Sequence, residues 1–106
     1  MAQIKWTERA WDEYLSCLLY SKDEFGETTA KRFFENVSKR EKRLENYPLT
    51  GFLEPLLAER PEGFRSTIFM KNFKLVYHYV EEDDVVYIDD IWDMRREPKK
   101  LVKRIK

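Results

Sequence analysis

The chain has 106 residues, 42% of them apolar and 15% aromatic, which is enough for one packed core and too little for two. Charged residues reach 38% yet cancel to a net charge of zero, glycine and proline are scarce, and no 18-residue apolar run occurs, which argues against a disordered chain and a membrane span. One cysteine, Cys17, leaves no partner for an internal disulfide and cannot make a metal site alone. With no signal-peptide core in MAQIKWTERAW, the expectation is a soluble, cytoplasmic, single domain over residues 1–106.

Gln3 to Trp6 reads as a short first strand with Ile4 and Trp6 on one face. Thr7 then offers a helix N-cap, with Glu8 favourable in the first turn. Trp11, Tyr14, Leu15, Leu18 and Leu19 follow at the spacing of one helical face, Cys17 falls one step off it, and Gly26 ends the helix. A second helix beginning at Thr28 or Thr29 carries Ala30, Phe33, Phe34, Val37 and Leu44. Glu41 interrupts that stripe. Pro48 and Gly51 stop the helix.

Beyond Pro61-Glu62-Gly63 the residues become β-branched and aromatic. Phe64 to Met70 and Phe73 to Val80 read as strands joined by Lys71-Asn72, a tight hairpin. The acidic turn Glu81 to Asp84 leads into a third antiparallel strand, Val85 to Trp92. Pro98, Leu101, Val102 and Ile105 share a helical face, so a short C-terminal helix beginning near Pro98 is expected. The predicted class is α+β: an N-terminal strand, then a helical hairpin packed on one face of a small, mainly antiparallel sheet, in the order β-α-α-β-β-β, with the short helix last. The other face is expected to stay open to solvent or a partner.

Strand alternation assigns Val86, Ile88 and Trp92 to the core with Phe73, Leu75, Tyr77, Phe64, Ser66 and Ile68. The open face then collects Arg65, Lys74, His78, Tyr87, Asp89 and Asp93. Close by lies a basic end: residues 95–106 hold seven basic side chains against Glu97, a net of +6 that leaves −6 for residues 1–94. Gly-rich phosphate loops, paired Cys-x-x-Cys and HExxH are absent. Asp83-Asp84 sits in a turn, and Asp89 and Asp90 alternate on a strand, so neither pair is expected to bind a metal. His78, alone of its kind and mid-strand, reads as a packed, hydrogen-bonded residue. Arg65 and Lys74 either pair with Asp89 or Asp93 across the sheet or, with Lys71, Arg95 and Arg96, form a cationic pocket walled by Tyr87 and Phe69. Such a pocket suits a phosphodiester, since arginine forks bind phosphate oxygens and aromatic rings stack on bases.

Phe64-Arg65, Phe73-Lys74-Leu75-Val76-Tyr77 and Arg95-Arg96-Glu97-Pro98, together with Trp6, Ala10 and the Pro48…Gly51 break, resemble the RelE/ParE superfamily of type II toxin–antitoxin systems over nearly the whole chain. The resemblance implies a growth-inhibiting, cytoplasmic toxin of the plasmid-stabilisation kind, silenced by a cognate antitoxin that covers apolar grooves beside the helical hairpin and works without a cofactor or metal. RelE-like members cleave mRNA on the ribosome, and ParE-like members act on DNA gyrase. For cleavage, the resemblance places Arg65, Lys74 and Arg96 in catalytic positions, with Lys71, Tyr87, Asp93 and Arg95 contacting substrate or target. Two departures favour the gyrase-directed or another non-nucleolytic mechanism. Asp93 stands where nucleases often carry His or Arg at the strand end, and LVKRIK has no tyrosine. The alternatives are an mRNA endoribonuclease and an inactive antitoxin-binding module.

Overall fold

The computed structural model describes residues 1–105; Lys106, counted in the basic end, lies outside them. The elements are β1 (Gln3–Trp6), α1 (Glu8–Phe25), α2 (Glu27–Asn46), β2 (Phe52–Leu53), β3 (Arg65–Phe69), β4 (Phe73–Val80), β5 (Val85–Asp93) and α3 (Pro98–Arg104). Single 3-10 turns occupy Pro55–Leu57 and Glu81–Asp83. The sheet runs β1-β5-β4-β3-β2, antiparallel except where β1 lies parallel to β5. This is the expected α+β architecture with one strand more. β2 escapes a sequence reading because two residues carry no periodicity.

Thr7 caps α1, its hydroxyl accepting the Ala10 N–H at 3.2 Å. The buried stripe differs from the expected one. Ala10, Tyr14 and Ser21 face the core with part-buried Cys17 and Leu18, while Trp11, Leu15 and Leu19 point outward. Ala10, with no exposed surface, lets α1 sit close against the sheet, and that close approach turns the bulkier neighbours away. Tyr14 stacks between Trp6 and Phe33 at centroid distances of 5.2 and 6.0 Å. In α2, Phe33, Val37 and Leu44 are buried, whereas Phe34 is exposed. Glu41, the polar interruption, accepts a hydrogen bond from Trp6 Nε1 at 3.2 Å, so the indole N–H beside the core is satisfied.

Two local features set which side chains reach which face. The β3–β4 turn holds three residues, Met70, Lys71 and Asn72, because Phe69 pairs with Phe73. Met70 and Lys71 both adopt positive φ, 47° and 66°. A two-residue turn at Lys71-Asn72 would have paired Met70 with Phe73, so the observed turn slips β3 by one residue and reverses its faces. Phe69, Thr67 and Arg65 therefore share the helix-side face with Phe73, Leu75 and Tyr77. The second feature is a bulge in β5: Val76 pairs with Asp90 but Tyr77 with Ile88, leaving Asp89 extra. Beyond it the alternation inverts, sending Ile91 to the helix-side core and Trp92 to the other face.

That other face is not open. Leu57, Phe64, Val76, Trp92, Leu101 and Ile105 form a second core beneath α3. Burying such side chains stabilises by roughly 1.5–3 kcal/mol each, so α3 is a structural layer and not a loose tail. Arg60 fastens its end by donating to the carbonyls of Ile105 and, at 2.7 Å, Val102. Among the described residues no helix is long and apolar enough to cross a membrane.

Candidate functional site

Lys74 lies on the α3-side face, and the register places Arg65 on the opposite one. The expected cationic pocket is therefore not assembled. The Lys74 ammonium is buried in an ion pair with Glu54, a carboxylate that also accepts Ser66 Oγ at 2.8 Å and the Leu56 N–H at 3.0 Å. Burial pushes the Glu54 carboxyl up, but the bonds from Lys74, Leu56 and Ser66 outweigh it and hold the group below the usual range. Both charges are thus consumed inside the protein. Arg65 donates instead to the Gly51 carbonyl at 2.8 Å, at the edge of the sheet beside β2.

The remaining predicted residues fall into two groups. Asp93, Arg95, Arg96 and Lys71 gather at one end of the sheet, where the Met94 N–H donates to Asn72 O at 2.7 Å and ties the β3–β4 turn to the end of β5. Arg95 forks onto Asp93, Nε at 2.9 Å and Nη2 at 2.7 Å, and this bond depresses the Asp93 carboxyl. Arg96 lies over the Trp92 ring at 4.7 Å and within 3.7 Å of Glu13. These arginines border a cavity of about 330 Å³ walled by Cys17, Tyr20 and Phe73. Burial, with Glu13 and Asp93 nearby, pushes the Cys17 thiol up to about 12, so it is a protonated wall and not a nucleophile. Lys71 is exposed at the turn tip. Tyr87 is absent from this end: it stacks on His78 at 5.2 Å toward the start of β5.

Three charged clusters were not anticipated. His78 Nδ1 lies 2.7 Å from Asp89 Oδ2, with Phe64 edge-on to the imidazole at 5.3 Å. The Asp89 hydrogen bond raises the His78 pKa against the opposing pull of burial. The bulge is what re-aims Asp89, and no sequence pattern announced it. Arg104, read as part of a basic end, reaches back to Asp90 at 2.8 Å and Glu13 at 3.2 Å and lies over Trp92 at 5.1 Å. Burial still lifts Asp90 to about 6, and one of its oxygens has no partner among the described residues. Glu54, the third, is marked in the sequence only by the proline that follows it.

The sheet order, the helical hairpin on one face and the short last helix on the other are a shared architecture. The family model described as the ParE toxin of the type II toxin–antitoxin system parDE matches residues 4–98. The chain belongs to the ParE toxin family. It is thereby a type II toxin of the RelE/ParE superfamily. Solved structures agree on the fold. A chain of the chromosomal ParDE system from P. aeruginosa superposes with a TM-score of 0.68 at 18% identity, covering 88% of this chain and 96% of that one. The isolated E. coli RelE toxin gives 0.61 at 19% identity over the whole of both chains. A metal-bound toxin from Helicobacter pylori gives 0.63 at 17% identity, covering 90% and 97%. No curated protein sequence matches this ParE-family chain.

Proposed function

We propose that this single-domain toxin halts growth in the cytoplasm by binding a protein target, DNA gyrase, and not by cutting mRNA, and that an antitoxin silences it. The observation that carries the reading is the fate of Lys74. Phosphodiester cleavage by a ribose hydroxyl needs cations that converge on the developing negative charge and a base beside the hydroxyl. Here Lys74 is neutralised by Glu54, Arg65 is on the other face, and the strand-end group is Asp93 held by Arg95. The exposed Trp11, Leu15, Leu19 and Phe34 of the helical hairpin supply apolar surface for an amphipathic antitoxin segment.

One observation favours the nucleolytic alternative. With Nδ1 committed to Asp89, His78 has Nε2 available as a base beside the cavity bordered by Arg9 and Arg104. Induction of the chain in bacteria, with pulse labelling by amino acid and thymidine, separates the readings. Failing thymidine incorporation with early protein synthesis preserved is the expected result. A fall in protein synthesis within minutes, abolished by His78→Gln, would replace it with mRNA cleavage. Unaffected growth would leave an antitoxin-binding module.

A further inference from the structure

His78 is the single histidine of the chain, and its ring is held on three sides. Nδ1–H donates to Asp89 Oδ2 at 2.7 Å, Tyr87 stacks on the imidazole with the planes 16° apart, and Phe64 meets it edge-on. Asp89 is itself the extra residue of the β5 bulge, so the strand gives up regular pairing where it supplies this carboxylate. Nε2 is left without a partner among the described residues. The Asp89 hydrogen bond raises the His78 pKa against the opposing effect of burial, and exposed Glu62 adds to the rise. The imidazole therefore keeps its second proton further toward neutral pH, and in that state Nε2 is a donor.

Two arginines reach the same cavity, of about 260 Å³, from other parts of the fold. Arg9 comes from the first turn of α1, is exposed and forms no ion pair among the described residues. Arg104 comes from the end of α3. Asp90 and Glu13 both engage its Nη2, while its Nε is buried with no partner among the described residues. A buried donor without an acceptor is costly, and a bound ion is one of its ordinary explanations. Three cationic groups thus line the cavity against two carboxylates, Asp89, which His78 matches, and Glu62 at the exposed rim. Phe64 and Ile105 supply an apolar wall.

We propose that this cavity binds a phosphate group, free or at the end of a small monoester, with Arg9, His78 Nε2 and Arg104 donating to its oxygens. Donors arriving from three elements suit a group with three terminal oxygens better than a planar carboxylate with two. At about 260 Å³ the space falls below the roughly 300–1,000 Å³ of a pocket that encloses a whole drug-sized molecule. The phosphate enters, and the remainder of an ester lies along Phe64 and Ile105. A nucleic-acid strand fits less well. The adjoining cleft shares Arg9 and Arg104 but is lined by Glu8, Asp12 and Glu13, so a second phosphate would meet carboxylates. A ligand that touches α1, β4 and α3 together also holds α3 on the sheet, whichever target the toxin acts on.

Because His78 is the only histidine, its imidazole proton resonance in the full, tag-free chain reads the site directly by NMR in phosphate-free buffer at neutral pH. Phenyl phosphate is titrated beside inorganic phosphate, benzoate and a uridine dinucleotide carrying one phosphodiester. A saturable shift with phenyl phosphate is expected, together with a higher thermal midpoint, since a ligand bound only by the folded chain stabilises it. Arg9→Gln should weaken binding about tenfold or more, and Arg32→Gln, at an exposed position of α2, should leave it unchanged. Arg9 is exposed and outside both cores, and Arg9→Lys, which keeps the charge but loses the fork, should give an intermediate loss. Inorganic phosphate binding as tightly as phenyl phosphate would make the free ion the occupant; tighter phenyl phosphate would assign the ester. No saturable shift, equal weakening by Arg9→Gln and Arg32→Gln, or benzoate binding as tightly as phenyl phosphate would overturn the proposal. Tighter binding of the dinucleotide would overturn it too, and move the cavity to the nucleolytic alternative.

Discussion

Lys74 and Arg65 sit on neighbouring strands with like charge and unlike surroundings. Arg65 is tied to carbonyls at the sheet edge, whereas Lys74 is enclosed with Glu54, whose side chain has no exposed surface. Removing one member of a buried pair strands the other charge, at a cost of about 3–5 kcal/mol. Lys74→Met is therefore expected to lower the stability measured by urea unfolding by that amount. Lys74→Met with Glu54→Gln should recover most of the loss, since the glutamine oxygen still accepts from Ser66 or Leu56. Equal losses from the single and the double variant would refute the pairing. It follows that lost toxicity in a Lys74 variant reports folding unless the double variant is tested beside it. None of this was legible locally. Glu54 precedes Lys74 by 20 residues, and the β2–β3 and β3–β4 pairings are both needed to bring the two together. Asp93, Arg95 and Arg96, by contrast, lie together at a strand end because they fall within four consecutive residues.

At the scale of elements, helix and strand types could be read from the chain while their facing could not. Thr7, Gly26 and the β-branched runs fix where most elements begin and end. Facing depends on parity, and parity changed twice: once at the three-residue turn and once at the Asp89 bulge. The turn makes its own prediction. Lys71 holds φ at 66°, a conformation that costs a side chain of this kind about 1 kcal/mol and glycine almost nothing. Lys71→Gly should keep the register and raise the unfolding free energy by up to about 1 kcal/mol, net of glycine's greater chain entropy. A drop in stability would mean that the ammonium makes a contact worth more than the strain. Gly51 is the opposite case. A Cβ there would lie 2.7 Å from both Ser66 O and the Tyr77 hydroxyl, which accepts the Gly51 N–H. Gly51→Ala should cost about 1–3 kcal/mol and loosen β2, read out as faster amide exchange at Phe52 and Leu53.

Taken whole, the molecule is a sheet with two cores, and several carboxyls became buried when α1 and α3 closed over it. Asp90 is the clearest. Its folded pKa of about 6 stands above the ordinary 3.8, because burial outweighs the nearby Arg104. The folded chain thus binds this proton more readily than the unfolded chain, so stability rises as pH falls from about 6 toward 4. Above pH 6 the full cost applies, about 3 kcal/mol at 1.36 kcal/mol per unit. His78 acts in the same direction: its pKa is raised by Asp89, so its contribution is complete below about 6.5 and is lost as pH climbs past the raised value. Glu54 opposes them at the acid end. Its pKa is lowered, so its contribution is present above about 4.5 and is lost as pH falls through the folded value. The urea midpoint should therefore peak between about pH 4.5 and 6 and decline toward pH 8. Asp90→Asn should raise stability at pH 7.5 and flatten the limb between 4 and 6, since Arg104 keeps Glu13 as a partner. A midpoint that instead rises steadily from pH 5 to 8 would show that Asp90 is solvated, and hence that α3 does not close over it in solution.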